Sequence, residues 1–234
     1  MLTIKRAKPR DIHFEGDINP YTHGSVIVSF GNTKVHITAT VEESVPLFLK
    51  DKKQGWVTAE YSMLPGATNT RSKRERTVIS GRSQEIQRLI GRSLRSVVDL
   101  KALGERSITI DCDVLVADGG TRTASITGGF VALSLAIKKL LKDGMIQNNP
   151  IKESLAAISV GINKENEIIA DLNYAEDSSC KTDMNIVMTS SGKFVEIQGT
   201  AEDGAFSREE NNSMLDCAWN AIQIILEKQN QVLK

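Results

Sequence analysis

An α+β fold built on mixed β-sheets is predicted by three features of this 234-residue chain. Runs of β-branched residues give way to a helical stripe, and that order occurs twice. One central run alternates apolar and polar side chains strictly, the mark of a strand with one buried face. The composition, 40% hydrophobic, 25% charged and 5% aromatic, is that of a globular protein long enough to bury roughly 70% of the surface its unfolded chain exposes.

The elements follow in order. Residues 25–30 (SVIVSF) and 34–41 (KVHITATV) flank Gly31-Asn32, a tight hairpin turn. Residues 56–61 (WVTAEY) form a further strand, residues 65–70 (PGATNT) break the pattern, and the charged, aperiodic stretch 71–76 (RSKRER) is a loop. From Arg82 a helix begins, with Ile86, Ile90, Leu94 and Val97 on one buried stripe. Arg88, Arg92 and Arg95 line another face, either solvated or turned toward a second subunit. Ile108, Ile110, Cys112, Val114 and Val116 alternate as the core face of the central strand. After residues 118–122 (DGGTR), the residues Ile126, Phe130, Leu133, Ile137 and Leu140 mark a long helix ending at Gly144. Residues 145–150 are a polar connector, the one lobe boundary on offer in a chain read as a single domain over 1–234. Two hairpin-like pairs follow, 158–162 with 168–172 and 184–188 with 194–197. The last helix opens on a capping box in which Ser207 caps and Glu210 reaches back.

Several classes are disfavoured. The longest apolar stretch, 128–137, is about half a membrane span and runs into Lys138 and Lys139. The N-terminal residues carry no apolar core with a small-residue cleavage site, so a cytoplasmic protein with no membrane partner is expected. Cys112, Cys180 and Cys217 form no CxxC pair, and His13, His23 and His36 lack ligand spacing; any metal would be a hard cation on carboxylates. The net charge is zero but polarised: residues 71–95 hold eight basic and two acidic side chains, and residues 177–211 hold seven acidic and three basic.

Two segments carry chemistry. In residues 119–125 (GGTRTAS) a glycine pair between strand and helix allows close backbone approach, the helix start offers unpaired N–H groups, and Thr121, Thr123, Ser125 and Arg122 add donors suited to phosphate. A plain capped turn would account for the glycines, but it needs no arginine. Asp177 and Asp183 bracket 178–182 (SSCKT); two carboxylates suit Mg²⁺, which keeps waters for phosphate oxygens, although each could simply bound a turn. Neither GxxxxGK[ST] nor GxGxxG occurs, Cys180 has no nearby histidine, and GxSxG is absent. An anion cradle, an acid pair and a basic tract together suit phosphoryl transfer on a polyanion.

Five blocks in order, 55–65 (GWVTAEYSMLP), 81–92 (GRSQEIQRLIGR), 111–128 (DCDVLVADGGTRTASITG), 176–179 (EDSS) with 183–185 (DMN), and 196–200 (EIQGT), closely resemble the bacterial ribonuclease PH family. The likeness runs from about Gly24 to the final helix. It implies a ribosomal-protein-S5-domain-2-like α+β fold and a phosphorolytic 3′→5′ exoribonuclease acting on tRNA precursors and other RNA 3′ ends. Inorganic phosphate would be co-substrate and Mg²⁺ the metal, in a homohexamer arranged as a trimer of dimers. The resemblance implies phosphate ligands at Arg82, Gly120, Thr121, Arg122 and Ser125, a metal-supporting pair at Asp177 and Asp183, and a tRNA grip through Arg71, Lys73, Arg74 and Arg76. Arg82, Arg122, Asp177 and Asp183 are the expected catalytic set. Gly66 departs from the family, which carries an arginine there, and removes one expected grip contact. The alternative is a non-catalytic RNA-binding ring subunit, which would usually have lost these four residues. Small-molecule kinases of similar fold need a glycine-serine ATP loop that is not found.

Overall fold

The computed structural model describes residues 2–74 and 79–234. Two five-stranded sheets enclose a layer of helices. The first sheet contains β2 (Ile12–Gly16), β3 (Gly24–Phe30), β4 (Thr33–Glu42), β5 (Trp56–Met63) and β6 (Ser107–Val116) in the order β2-β3-β4-β6-β5. All its neighbours are antiparallel except β5 and β6, which run parallel. That parallel pair needs a crossover, and the crossover is α1 (Gly81–Ser96) with the one-turn α2 (Leu100–Leu103). The second sheet contains β1 (Thr3–Arg6), β7 (Leu155–Ile162), β8 (Glu167–Ala170), β9 (Thr182–Thr189) and β10 (Phe194–Ala201) in the order β1-β8-β7-β9-β10. Between the sheets run α3 (Thr121–Lys142) and α5 (Arg208–Leu233), and the one-turn α4 (Tyr174–Asp177) follows β8.

Sequence patterns explain most of this. The β3–β4 hairpin turns on Gly31-Asn32 with Phe30 opposite Thr33, and Gly31 takes the positive φ (55°) that the first loop position needs. On α1 the stripe Ile86, Ile90, Leu94 and Val97 is buried, and Ser80 caps the helix by accepting from the Ser83 N–H. Helix α3 packs on β3, β4 and β6 of one sheet and on β7 and β9 of the other. It is therefore buried nearly all round, which is why its apolar residues form no narrow stripe. By length and hydropathy α3 could cross a membrane, yet 78% of its most apolar window is covered by the protein itself. It ends in a Schellman motif: Met145 N–H bonds Leu140 O (2.9 Å), Gly144 N–H bonds Leu141 O (3.2 Å), and Gly144 sits at φ 72°. The capping box at Ser207 and Glu210 is present at the start of α5. One apolar cluster runs from Ile12 to Leu226 and joins both sheets.

Two readings of the sequence are corrected, at Val116 and at Arg95, and one strand is added. Val116 is 41% exposed, not core. A register shift between Lys34 and Val35 pairs them with Val116 and Val114, so the strand bulges at Leu115 and the last residue is re-aimed outward. Residues 3–6 form β1, parallel to β8, although their sequence TIKR shows no apolar alternation. Arg95 is not on a solvated stripe; its guanidinium lies 4.1 Å from the Trp56 ring centre and donates to Val57 O (2.7 Å), whereas Arg88 and Arg92 are exposed.

Candidate active site

The open end of α3 organises the site. Gly119 and Gly120 both have positive φ (77° and 66°), and Gly120 is the N-cap. A Cβ on Gly119 would collide with Leu172 O and the Asn173 backbone, so only glycine lets this turn lie against the chain entering α4. The first intrahelical bond is Ala124 N–H to Gly120 O (3.0 Å). The N–H groups of 121–123 precede it and face outward with the positive end of the helix dipole. The turn has the form expected from sequence, a glycine pair at a helix start, but the side-chain donors differ from that expectation. The Thr121 hydroxyl is buried against the Tyr61 hydroxyl (2.9 Å) and Thr123 Oγ1 donates back to Gly120 O (2.9 Å), so the turn presents backbone N–H groups. Ser125 is corrected outright. It lies one turn further on, fully buried beside Cys112, and does not line the cleft.

Arg122 stands over this turn, half-buried, with Nη1 3.2 Å from Gln198 Oε1 on β10 and 3.8 Å from Glu85 Oε1 on α1. Arg82, exposed in the first turn of α1, is near enough for its charge to act on Asp177. Asp177 ends α4 and Asp183 is the second residue of β9, so the two acids flank the short connector between these elements. Both arginines act on Asp177, and Arg122 acts on Asp183 as well. Asp177 reaches water, yet the crowded cleft removes enough solvent to raise its pKa; Arg122 and Arg82 pull it back down, and Glu202 opposes them. Burial raises Asp183 as well, reinforced by Asp177 and Glu202 and offset by Arg122. Two carboxylates near enough for Asp177 to raise the Asp183 pKa, with Asp177 open to solvent, fit a hard divalent cation such as Mg²⁺ that keeps several waters. Among the described residues no three His, Cys, Asp or Glu side chains converge into a full protein cage. Cys180 donates Sγ to Asp177 O (3.0 Å), and burial, with help from Asp183 and Asp177, pushes its thiol up to about 11. It is protonated at neutral pH and is no nucleophile.

A hollow of about 650 Å³ flanks this cluster, lined by Glu85, Arg88, Arg92 and Gln198, with Arg92 paired to Glu196 at 2.9 Å. Arg71, Lys73 and Arg74 are exposed on the loop after β5. Arg76 lies outside the described residues. Gly66 is exposed with open space around it, room enough for the larger side chain expected there.

A buried ionic brace behind the site was not legible beforehand. Arg10 donates from its backbone N and Nε to Asp171 Oδ2 and from Nη2 to Oδ1, all at 2.9 Å, and from Nη1 to Asp118 O (2.6 Å). Arg6 grips Glu176 with both Nη atoms (2.9 and 2.7 Å) and donates to Ala170 O and Asp171 O. Glu176 also closes a capping box on Asn173. The brace holds the glycine turn and α4, and hence Asp177, to one another. The N-x-x-E spacing of Asn173 and Glu176 was the available signal; nothing local marked Arg6, Arg10 or Glu202. Asp171 is completely buried. Asp171→Ala, which leaves the Arg10 charge uncompensated, is expected to cost about 3–5 kcal/mol of stability, read from a shifted urea midpoint.

With this geometry in place, two family models match the chain. Residues 8–139 match the 3′ exoribonuclease family, domain 1, and residues 154–221 match domain 2 of the same family. The chain belongs to the 3′ exoribonuclease family. Its ribonuclease PH members include that of Bacillus subtilis (strain 168), 59% identical over 226 residues covering 96% of this chain and 92% of the relative. The ribonuclease PH of Neisseria meningitidis serogroup C is 55% identical over 236 residues, covering 99% and 97%. Among solved structures, rice Rrp46 superposes with a TM-score of 0.79 at 18% identity over 98% of each chain. The Archaeoglobus fulgidus exosome with RNA bound to the active site gives 0.77 at 19% over 95% of this chain and 89% of that one. These likenesses establish the exoribonuclease-family fold. The gap between the matched stretches contains the 145–150 connector.

Proposed function

We propose that this chain is a phosphorolytic 3′→5′ exoribonuclease that trims the 3′ ends of tRNA precursors. The observation that carries the reading is the convergence of Arg82 and Arg122 with Asp177 and Asp183 at the open end of α3. Inorganic phosphate and the RNA backbone are both anions, so they approach only where fixed positive charge offsets their repulsion. Arg82, Arg122 and the N–H groups of 121–123 hold the phosphate and aim one oxygen at the terminal phosphodiester. The new P–O bond forms as the bond to the 3′-oxygen of the preceding residue breaks. A nucleoside 5′-diphosphate leaves, and the 3′-oxygen takes a proton to become the new RNA end. Asp177 and Asp183 would hold Mg²⁺, which when bound supplies charge against the scissile phosphate and leaving oxygen. The protein itself supplies no nucleophile.

Arg71, Lys73, Arg74 and Arg76 are proposed to grip the tRNA body. The working form is proposed to be a homohexamer, a trimer of dimers; Leu47 at 89% and Phe48 at 58% exposure are apolar groups an assembly would cover. Residues 1–234 act as one domain on this reading, supported by the apolar cluster shared by both sheets. The three cysteines are free and buried, which supports a cytoplasmic setting. The test is chromatography of products from a tRNA with extra 3′ nucleotides, with and without phosphate and EDTA. Nucleoside diphosphates that appear only with phosphate are expected; monophosphates released without it would mean hydrolysis and end the proposal.

A further inference from the structure

We infer that a hollow beside the catalytic cleft is a nucleobase subsite, in which Tyr174 stacks on an unpaired base of the RNA upstream of the bond being broken. The inference rests on the exoribonuclease reading and extends it to how the single-stranded tail is held.

The hollow measures about 1120 Å³ and lies between β4, β6, the loop after β5 and the start of α4. Two of its walls are apolar groups that the fold leaves in water: Tyr174 is 64% and Val116 41% exposed. Val116 is there because of the bulge that turns it out of the core. The same hollow is lined by the polar residues Asn32, Thr68 and Asn69. An aromatic face, an apolar floor and a few amide and hydroxyl groups are what a nucleobase requires.

Position argues the same way. Tyr174 is the first residue of α4 and Asp177 the last, so the ring sits one helical turn from the acid pair. The lining stretch Thr68 to Thr70 continues directly into Arg71, Lys73 and Arg74. A strand leaving the cleft toward those cations therefore crosses the hollow. The ring is also well anchored at its backbone. Tyr174 N–H bonds Asp118 Oδ1 (3.2 Å), and α4 is tied by its capping box and by the Arg6–Glu176 pair. Asp118 does not make the hollow hostile to RNA. Its other oxygen accepts from Asn32 Nδ2 (3.0 Å) and lies 3.8 Å from Arg10 Nη1.

The test compares wild type, Tyr174→Phe and Tyr174→Ala on an RNA with a single-stranded 3′ tail, varying RNA and phosphate separately. Tyr174→Ala should raise the RNA KM roughly 5- to 150-fold, the range for loss of one base–aromatic stack, with the phosphate KM unmoved. Tyr174→Phe keeps the stacking face and should track wild type. An unchanged RNA KM in Tyr174→Ala would overturn the subsite, and so would a parallel rise in the phosphate KM, because that signals displacement of α4. Binding of a tail carrying 2-aminopurine separates this inference from the activity. Wild type and Tyr174→Phe should quench its fluorescence and Tyr174→Ala should not, even if no nucleoside diphosphate is ever released; equal quenching by all three sinks the assignment.

Discussion

Arg122→Ala is expected to slow phosphorolysis about 10²–10³-fold, the size seen when one preorganised donor is removed from a charge-stabilising site. The effect should exceed that of a lost surface charge because Arg122 does three things. It sets a forked donor over the proposed phosphate turn, it is held in aim by Gln198, and it is the largest favourable charge acting on Asp177. Removing it weakens the phosphate cradle and pushes Asp177 further toward its neutral form. Arg122→Lys should recover only part of the rate, since an ammonium replaces a planar fork with a point charge. The measurement is the initial rate at varied phosphate, with circular dichroism to confirm folding. The partner Glu85 is exposed and the fold does not depend on that pair. A rate for Arg122→Ala within threefold of wild type would remove the guanidinium from the mechanism.

Asp183→Asn should separate activity from stability. The rate is expected to fall about 10²-fold or more with the loss of one cation-holding carboxylate, while Tm without Mg²⁺ rises by about 1–2 °C. Burial, then repulsion from Asp177 and Glu202, raises the Asp183 pKa, so the folded state binds that proton more tightly than the unfolded chain does. Between the ordinary carboxylate pKa and the raised one, folding stability therefore falls as pH rises, and above both the full penalty remains. Asparagine removes it. Wild type should gain stability on adding Mg²⁺ at neutral pH and lose that gain on acidification through the raised pKa, whereas Asp183→Asn, left with Asp177 alone, should show a smaller gain. Thermal melts with and without Mg²⁺ across this range check the prediction. A lower Tm for Asp183→Asn in metal-free buffer would contradict it.

What could be read ahead depended on how local the signal was. Ile108 through Val114 alternate because β6 has one face on α3, and Ile86 through Val97 repeat at helical spacing because α1 has one buried stripe; both patterns survive in a single sequence. Val116 breaks its pattern because a bulge is a property of two paired strands. Ser125 was misplaced for a related reason: α3 is covered on all sides, so a polar residue on it carries no sign of which way it faces. Strand β1 is exposed and polar, and α4 is one turn long, too short for periodicity to show. The glycine turn at the start of α3 was legible because a glycine pair between a strand and a helical stripe marks a turn locally. Its brace was not, because Arg10 and Asp171 lie 161 positions apart.

That separation has a consequence for biosynthesis. Strand β1 can pair only with β8, and Arg6 and Arg10 find their carboxylates only after residues 171 and 176 have left the ribosome. Contacts that close so long a loop form late, since the entropy of closure precedes any reward. The first ten residues must wait, unpaired, while more than half the polypeptide is made, and the cleft acquires its final shape near the end of folding. The braced site therefore cannot assemble until residue 176 is available, well after every strand of the first sheet has been made.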